Sequence, residues 1–312
     1  MPRRLHNRPI PAVLVGAVAI AFSGILFRVA HVSPSTGAVF RCLYALPPLA
    51  LLAWWEDRRY GPRPLRQRAL AWAAGALFAV DLVAWHKAIE EVGAGLATVL
   101  GNTQVVLVGL LAWAILRERP PTRAVTAIPI VLIGVVLISG AFEQGAYGRN
   151  PALGVAYGVL TAVAYSGFLL VLREGNRDLR RPAGPLFDAT LVSGLVAILI
   201  GLAFGDLDFA PGWAAQGYLI LLALSSQVLG WLLISITLPR LPAALTSVLL
   251  TLQPVLSVLL AGAILGESPS VLQLGGVALI VVGLVVASSA HRPRHPAPEP
   301  GYVLAARATD GG

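Results

Sequence analysis

The sequence predicts an all-α membrane protein of ten transmembrane helices, arranged as two inverted five-helix repeats. Three observations carry this. The 312 residues are 57% hydrophobic and only 12% charged, with a mean hydropathy of +0.77, whereas a soluble chain carries ~25% charged residues. Ten apolar runs approach the ~20 residues that cross a ~30 Å hydrocarbon core as helices. The segment Gly93–Ser139 matches Pro242–Ser288 without a gap, at a constant offset of 149.

The runs are Ile10–Val29, Pro34–Trp54, Ala69–His86, Ala94–Leu116, Pro121–Gly140, Ala152–Leu172, Pro185–Phe204, Ala214–Thr237, Ala243–Leu265 and Val271–Ala290. Strands do not fit them. A membrane-barrel strand alternates in polarity over ~10 residues, whereas Val105–Leu116 (VVLVGLLAWAIL) is apolar on all sides. Lipid supplies no hydrogen bonds, so a continuous apolar run satisfies its backbone only as a helix.

The first run follows Arg3, Arg4 and Arg8. It is longer than the ~7–15 residues of a signal sequence's apolar core, so it is read as a span. The second run carries Arg41, Pro47 and Pro48 and ends at Trp54 and Trp55; the third carries Asp81 and ends at Trp85, His86 and Lys87. Trp54, Trp55, Trp72 and Trp213 lie near span ends, where tryptophan anchors at the interface. The fifth run holds Pro129, a kink point like Pro47 and Pro48. The pairs Gly154–Gly158, Gly201–Gly205 and Gly262–Gly266 fit close helix packing. After Ala290 the chain turns Pro-rich and polar, and residues 291–312 read as a disordered cytoplasmic tail.

Net charge is +8, but its placement argues against nucleic acid. With the N-terminus inside, the basic residues fall in the inner segments; only Arg28, Arg41, Lys87 and Arg149 fall elsewhere. This is the positive-inside bias, and it puts both termini in the cytoplasm. Cys42 is the single cysteine, which excludes an internal disulfide and a thiolate metal cluster.

Five spans per repeat is an odd number, so the second copy enters the bilayer from the opposite side. Glu118 then ends the fourth span inside and Glu267 ends the ninth outside. The flanks agree: Arg117 and Arg119 bracket Glu118, whereas Gly266 and Ser268 bracket Glu267. Inverted halves about a shared site are the design of an alternating-access transporter.

Each half also carries an aromatic-Ser-Gly element early, Phe22-Ser23-Gly24 and Tyr165-Ser166-Gly167. The fourth helix of each half closes on Ala114-Ile115-Leu116-Arg117-Glu118-Arg119-Pro120 or Ala263-Ile264-Leu265-Gly266-Glu267-Ser268-Pro269. On these elements, over residues 9–290, the chain resembles the EamA domains of the drug/metabolite transporter superfamily. The resemblance implies two five-helix repeats, 9–140 and 151–290, and transport of a small solute. The family carries amino acids, metabolites, nucleotide sugars and drugs, so the resemblance leaves the substrate open.

Polar side chains inside a bilayer are costly and need a reason. Arg41 and Asp81 lie ~10 Å and ~8 Å below the outer surface at 1.5 Å per residue. They are expected to form a buried ion pair along the substrate path; a purely structural clamp is the alternative. A membrane carboxylate can also exchange a proton, although one held by Arg41 stays ionised and carries protons poorly. Gln104 and Gln253 occupy equivalent repeat positions at mid-depth, beside Asn102, Thr103 and Thr251. They are expected to face each other as a hydrogen-bonding cradle, or to act as interhelical glue. Pro254 can free a carbonyl next to Gln253. Trp85, Trp113, Tyr165 and Trp231, with Gln227 one turn from Trp231, complete the candidate pocket. His86 and Lys87 are expected at the outer interface, Lys87 snorkelling or pairing with Glu90 or Glu91.

HExxH, GxSxG, P-loop and metal-spaced Cys/His motifs are absent from the sequence. The expectation is a non-enzyme without cofactor, a multi-pass protein of the cell membrane. It moves a small organic solute, most readily outward, with lipid around it, no nucleic-acid partner, and a coupling proton left open. An importer or exchanger of the same fold is the alternative, and a lipid-acting membrane enzyme is a more distant one.

Overall fold

The computed structural model describes residues 9–116, 122–175, 178, 180–237, 250 and 252–288. The Arg117–Pro120 motif, the ninth run up to Leu249 together with Thr251, and the tail 291–312 lie outside the described residues.

Every regular element among the described residues is a helix. In order they are α1 Pro9–Ala21, α2 Ser23–Ala30, α3 Pro34–Tyr60, α4 Leu65–Val92, α5 Ala94–Asn102, α6 Gln104–Leu116, α7 Thr122–Ile138, α8 Pro151–Gly175, α9 Ala183–Phe204, α10 Trp213–Leu222, α11 Trp231–Thr237, α12 Leu252–Leu265 and α13 Val271–Ser288. A π-helical segment, Ala223–Gly230, joins α10 to α11. Six stretches are long and apolar enough to cross a membrane: Ile10–Ala30, Pro34–Tyr60, Leu65–Val92, Pro151–Gly175, Ala183–Phe204 and Trp213–Ile234. Shorter apolar helices, Ala94–Val108, Val125–Ile138, Leu252–Leu265 and Val271–Ala287, fall on the remaining four predicted runs.

Local chemistry sets the ends. At the start of α3, the Ser33 hydroxyl accepts from the Thr36 N–H at 3.3 Å, and Pro34 takes the first turn, where its missing N–H costs nothing. Gly93, with φ +90°, lets α4 reverse directly into α5. Three predicted spans are interrupted inside the bundle. The first breaks between Ala21 and Ser23, the fourth at Thr103, and the eighth widens into the π segment. The breaks are repaired internally: Thr103 donates its hydroxyl to the Leu100 carbonyl at 2.6 Å, and Ser23 donates to Ile20 at 2.6 Å. Pro47 and Pro48 sit within the continuous α3, and Pro129 within α7.

Helices pair closely where side chains are small. α4 packs along α8, α3 along α9, and α7 along α13. A Cβ at Gly134 would stand 2.7 Å from the Gly276 carbonyl, and one at Gly276 would stand 2.6 Å from the Gly134 carbonyl. Gly154 and Gly158 likewise admit Val92 and Leu100. The other two predicted glycine pairs do not act as pairs. Gly201 packs on Ser35, but Gly205 and Gly266 end their helices at φ +67° and +68°.

The outer end of the third span corrects two expectations. α4 runs on to Val92, so His86 lies a turn and a half inside it. It is fully buried, stacked on Phe27 at 3.9 Å, with Nδ1 at 3.0 Å from the Pro34 carbonyl. Lys87 reaches Asp206 at 3.9 Å and lies over the Phe204 ring, rather than pairing with Glu90 or Glu91; Glu91 takes Arg149. Trp54, Trp55 and Trp213 are exposed, as interfacial anchors should be.

Widening the Gly134–Gly276 crossing should loosen the bundle. Gly276→Val is expected to cost ~1–3 kcal/mol by overpacking against α7, while Gly275→Val, whose added atoms meet open space, is near neutral. Thermal unfolding of the purified variants checks this.

Candidate functional site

A guanidinium buried in an apolar bundle needs acceptors, because apolar side chains and lipid supply none. Arg41, on α3, is 3% exposed. Its Nε donates to Gln227 Oε1 at 3.0 Å, and its Nη2 donates to Ser226 Oγ at 3.3 Å. Gln227 is itself fixed, its Nε2 donating to Thr190 Oγ1 on α9 at 3.2 Å. Both acceptors are consecutive residues of the π segment. Neighbours diverge by ~100° in an α-helix; the wider π turn reduces that angle and aims both at one cation. The guanidinium also lies 5.9 Å from the Trp85 ring.

The expected Arg41–Asp81 ion pair is therefore not formed: among the described residues no contact within 4.0 Å joins them. Equal depth put the two on one level, but Arg41 turned to the amide and hydroxyl of the eighth span. Asp81 is 6% exposed and lines the same cavity without a hydrogen bond to its carboxylate from any described residue.

That cavity, of about 70 Å³, is walled by Ile20, Ser23, Arg41, Phe78, Asp81, Leu82, Trp85, Thr98, Gly101, Asn102, Thr161, Tyr165, Trp231 and Gln253. At ~10–15 Å³ per water it has room for several. Both sequence halves contribute. Of the predicted site residues, Arg41, Asp81, Trp85, Asn102, Tyr165, Trp231 and Gln253 meet there. Asn102 spends its Nδ2 on the Thr98 carbonyl at 2.8 Å. Trp231 stands edge-on to Tyr165 and Phe168, with centroids at 6.0 and 5.6 Å, so its indole face is held rigidly.

Three predicted residues lie elsewhere. Gln104 is absent from the cavity wall and does not face Gln253. The break at Thr103 starts a new helix at Gln104, and this residue packs towards α8, its carbonyl accepting from Ser166 Oγ at 3.3 Å. Gln227 stands behind Arg41 as its support rather than on the wall. Trp113 is 54% exposed on the outside of the bundle. Sequence reasoning missed Phe78 and Ser226. Phe78 lies one helical turn before Asp81, a spacing that points to it; nothing in the sequence announces the π turn that recruits Ser226.

Glu267 has a role beyond ending a span. Its Oε1 accepts from the Ala94 N–H at 2.6 Å and its Oε2 from the Gly95 N–H at 3.1 Å, capping α5. A Cβ at Gly93 would stand 2.7 Å from this carboxylate, so glycine is required by space as well as by φ. Burial pushes the Glu267 acid upward from its ordinary range, and the two N–H bonds pull it back. Glu56 does the same at the other end of the bundle, accepting from Ala183 at 3.0 Å and Gly184 at 2.8 Å at the start of α9.

The sequence profile of the EamA-like transporter family matches residues 7–140 and again 152–289. An uncharacterized transporter of Synechocystis is 23% identical over 88% of this chain and 91% of its own length. Two uncharacterized transporters of Bacillus subtilis are also similar. YwfM is 24% identical over 90% of this chain and 93% of its own, and YxxF is 27% identical over 86% of each. A solved crystal structure superposes with a TM-score of 0.59 at 18% identity, covering 89% of this chain and 96% of that one. That likeness concerns the fold.

Removing the support of Arg41 is expected to be costly. Gln227→Leu strands Nε and should lose ~1.5–3 kcal/mol, the scale of a hydrogen bond to a charged group. Glu267→Ala should lose ~0.5–2 kcal/mol as a lost helix cap. Unfolding midpoints in detergent read both.

Proposed function

Because this chain belongs to the EamA-like transporter family, we propose that it exports a small organic solute by alternating access about the cavity between its halves. In this reading the halves are inverted five-helix repeats, residues 9–140 and 151–290, that make ten spans of the cell membrane with both termini in the cytoplasm. The halves rock, and the cavity faces one side and then the other.

One observation carries the reading. The cavity wall draws on both halves and presents a guanidinium and a separate carboxyl group that do not bond each other. Arg41 holds an anionic or acceptor group of the solute. Tyr165, Asn102 and Gln253 bind its polar groups. Trp231 and Trp85 form the apolar wall. Asp81, released from Arg41, is the group that couples a proton to the cycle; the sequence has no P-loop, and an ion or solute gradient supplies the energy.

Reconstitution into proteoliposomes with a solute panel tests this. Flux above empty vesicles is expected for at least one solute, with accumulation in vesicles oriented inside-out. Arg41→Ala and Trp231→Ala should each reduce that flux by roughly tenfold or more, about 1.4 kcal/mol of lost binding, in protein that remains folded. Loss of folded protein in place of flux would make Arg41 a structural clamp. Asp81→Asn should abolish gradient-driven accumulation and keep solute counterflow. Accumulation unchanged by that substitution would remove the proton from the cycle.

A further inference from the structure

A second cavity lies away from the central one, at the end of the bundle where α3, α4 and α9 meet. It measures about 370 Å³, and its wall changes character along its depth. Its apolar part is formed by Ala50, Ala53, Trp54 and Phe187, and its polar part by Arg58, Arg63 and Arg68 with Asp57 and Asp188.

Cations exceed anions here once the local pairs are assigned. Asp57 is matched by Arg181 at 3.8 Å, from outside the cavity. Asp188 offers a single oxygen to two arginines, Arg63 Nη2 at 2.7 Å and Arg68 Nε at 3.3 Å. Arg58 lies over the Trp54 ring at 4.3 Å, with no carboxylate within 4.0 Å among the described residues. Most telling is Arg63. Its side chain is 5% exposed, yet among the described residues Nε and Nη1 have no acceptor, and Oδ1 of Asp188 and of Asp57 in the same wall have no donor. A buried guanidinium with unfilled donors is costly unless something supplies oxygens.

The neighbouring surface defines what supplies them. Trp54 is 52% exposed and Leu51, one turn deeper, is 64% exposed. An exposed tryptophan marks the headgroup level, and apolar side chains beyond it meet acyl chains. A site that is basic at this level and apolar beneath it fits an amphiphile with an anionic head. We propose that this pocket binds the phosphate of an anionic phospholipid, with Arg58, Arg68 and the open donors of Arg63 on the phosphate and the chains lying along Leu51 and Trp54. Basic pockets between membrane helices recognise lipid headgroups in this manner. The proposal does not depend on the transported solute.

The test uses the full chain, purified in detergent and stripped of lipid. Phosphatidylglycerol is expected to raise the unfolding midpoint by several degrees, because a ligand of the folded state stabilises it. Phosphatidylcholine and inorganic phosphate at equal concentration should not. Native mass spectrometry should show bound phosphatidylglycerol, and Arg58→Ala/Arg68→Ala should weaken its binding roughly thirtyfold. Equal shifts with phosphatidylcholine would overturn the anionic preference. An equal shift with inorganic phosphate would make the site a soluble-anion site and overturn the lipid. Unchanged affinity in the double variant would overturn the arginine assignment. If that variant fails to fold, the three ligands on the unmodified chain decide.

Discussion

Arg41 must find hydrogen-bond acceptors inside an apolar bundle, and the acceptors it finds determine the chemistry of the central cavity. Placing an arginine at the middle of a membrane helix costs ~2.5–3.5 kcal/mol even by the mildest scale. Gln227 and Ser226 offset that cost from the π segment, while Thr190 anchors Gln227 from a third helix. The network ties α3 of the first half to the eighth and seventh spans of the second. It also has a consequence for Asp81. A paired Arg41 and Asp81 would cancel within the wall and offer a solute little. Arg41 gives Nε and Nη2 to neutral groups, and among the described residues no hydrogen bond joins it to the Asp81 carboxylate, so the cavity keeps an acid and a guanidinium as separate features.

The aromatic side chains give that polar pair a fixed frame. Phe78, Phe168, Tyr165 and Trp231 contact one another at centroid distances from 4.5 to 6.0 Å. Close-packed rings of this kind have few alternative rotamers. The π segment contributes twice: Ser226 and Gln227, at its middle, hold Arg41, and Trp231, the residue just after it, closes the aromatic cluster. A wide helical turn costs hydrogen-bond quality, and here one stretch supplies both acceptors of Arg41 and, with Trp231, part of the cavity wall.

Much of the helical layout was legible because lipid makes it so. Apolar runs bounded by arginine and proline have few alternatives to a helix, and the described helices fall on the predicted runs. Seven predicted residues line the cavity, while Gln104, Gln227 and Trp113 do not; polarity at depth already marks a residue as needing a reason. What the sequence concealed was azimuth. Depth counts along a helix, so Arg41 and Asp81 were placed on one level, but nothing in the spacing says which way a flexible arginine turns. The repeat likewise put Gln104 and Gln253 at equivalent positions. A break at Thr103 then separates Gln104 from α5, which packs on α12, and sends it towards α8. His86 was misplaced for another reason. The apolar run ends at His86, whereas α4 continues to Val92, with Arg149 on Glu91.

The two carboxylate caps extend the argument from the cavity to the whole molecule. Glu56, from the first half, closes the start of α9 in the second; Glu267, from the second half, closes the start of α5 in the first. They sit at opposite ends of the bundle. Each places a carboxylate against a helix N-terminus, where unpaired N–H groups and the helix dipole both favour an anion. Each cap joins one half to the other at one end of the bundle. For halves that rock about a central cavity, a fastening of this form is well suited. Releasing one end exposes two N–H groups to water, which can replace the carboxylate there, and leaves the opposite end closed. Glu267 takes the two N–H groups at the start of α5, and Gly93, at φ +90°, makes the turn that brings them to it.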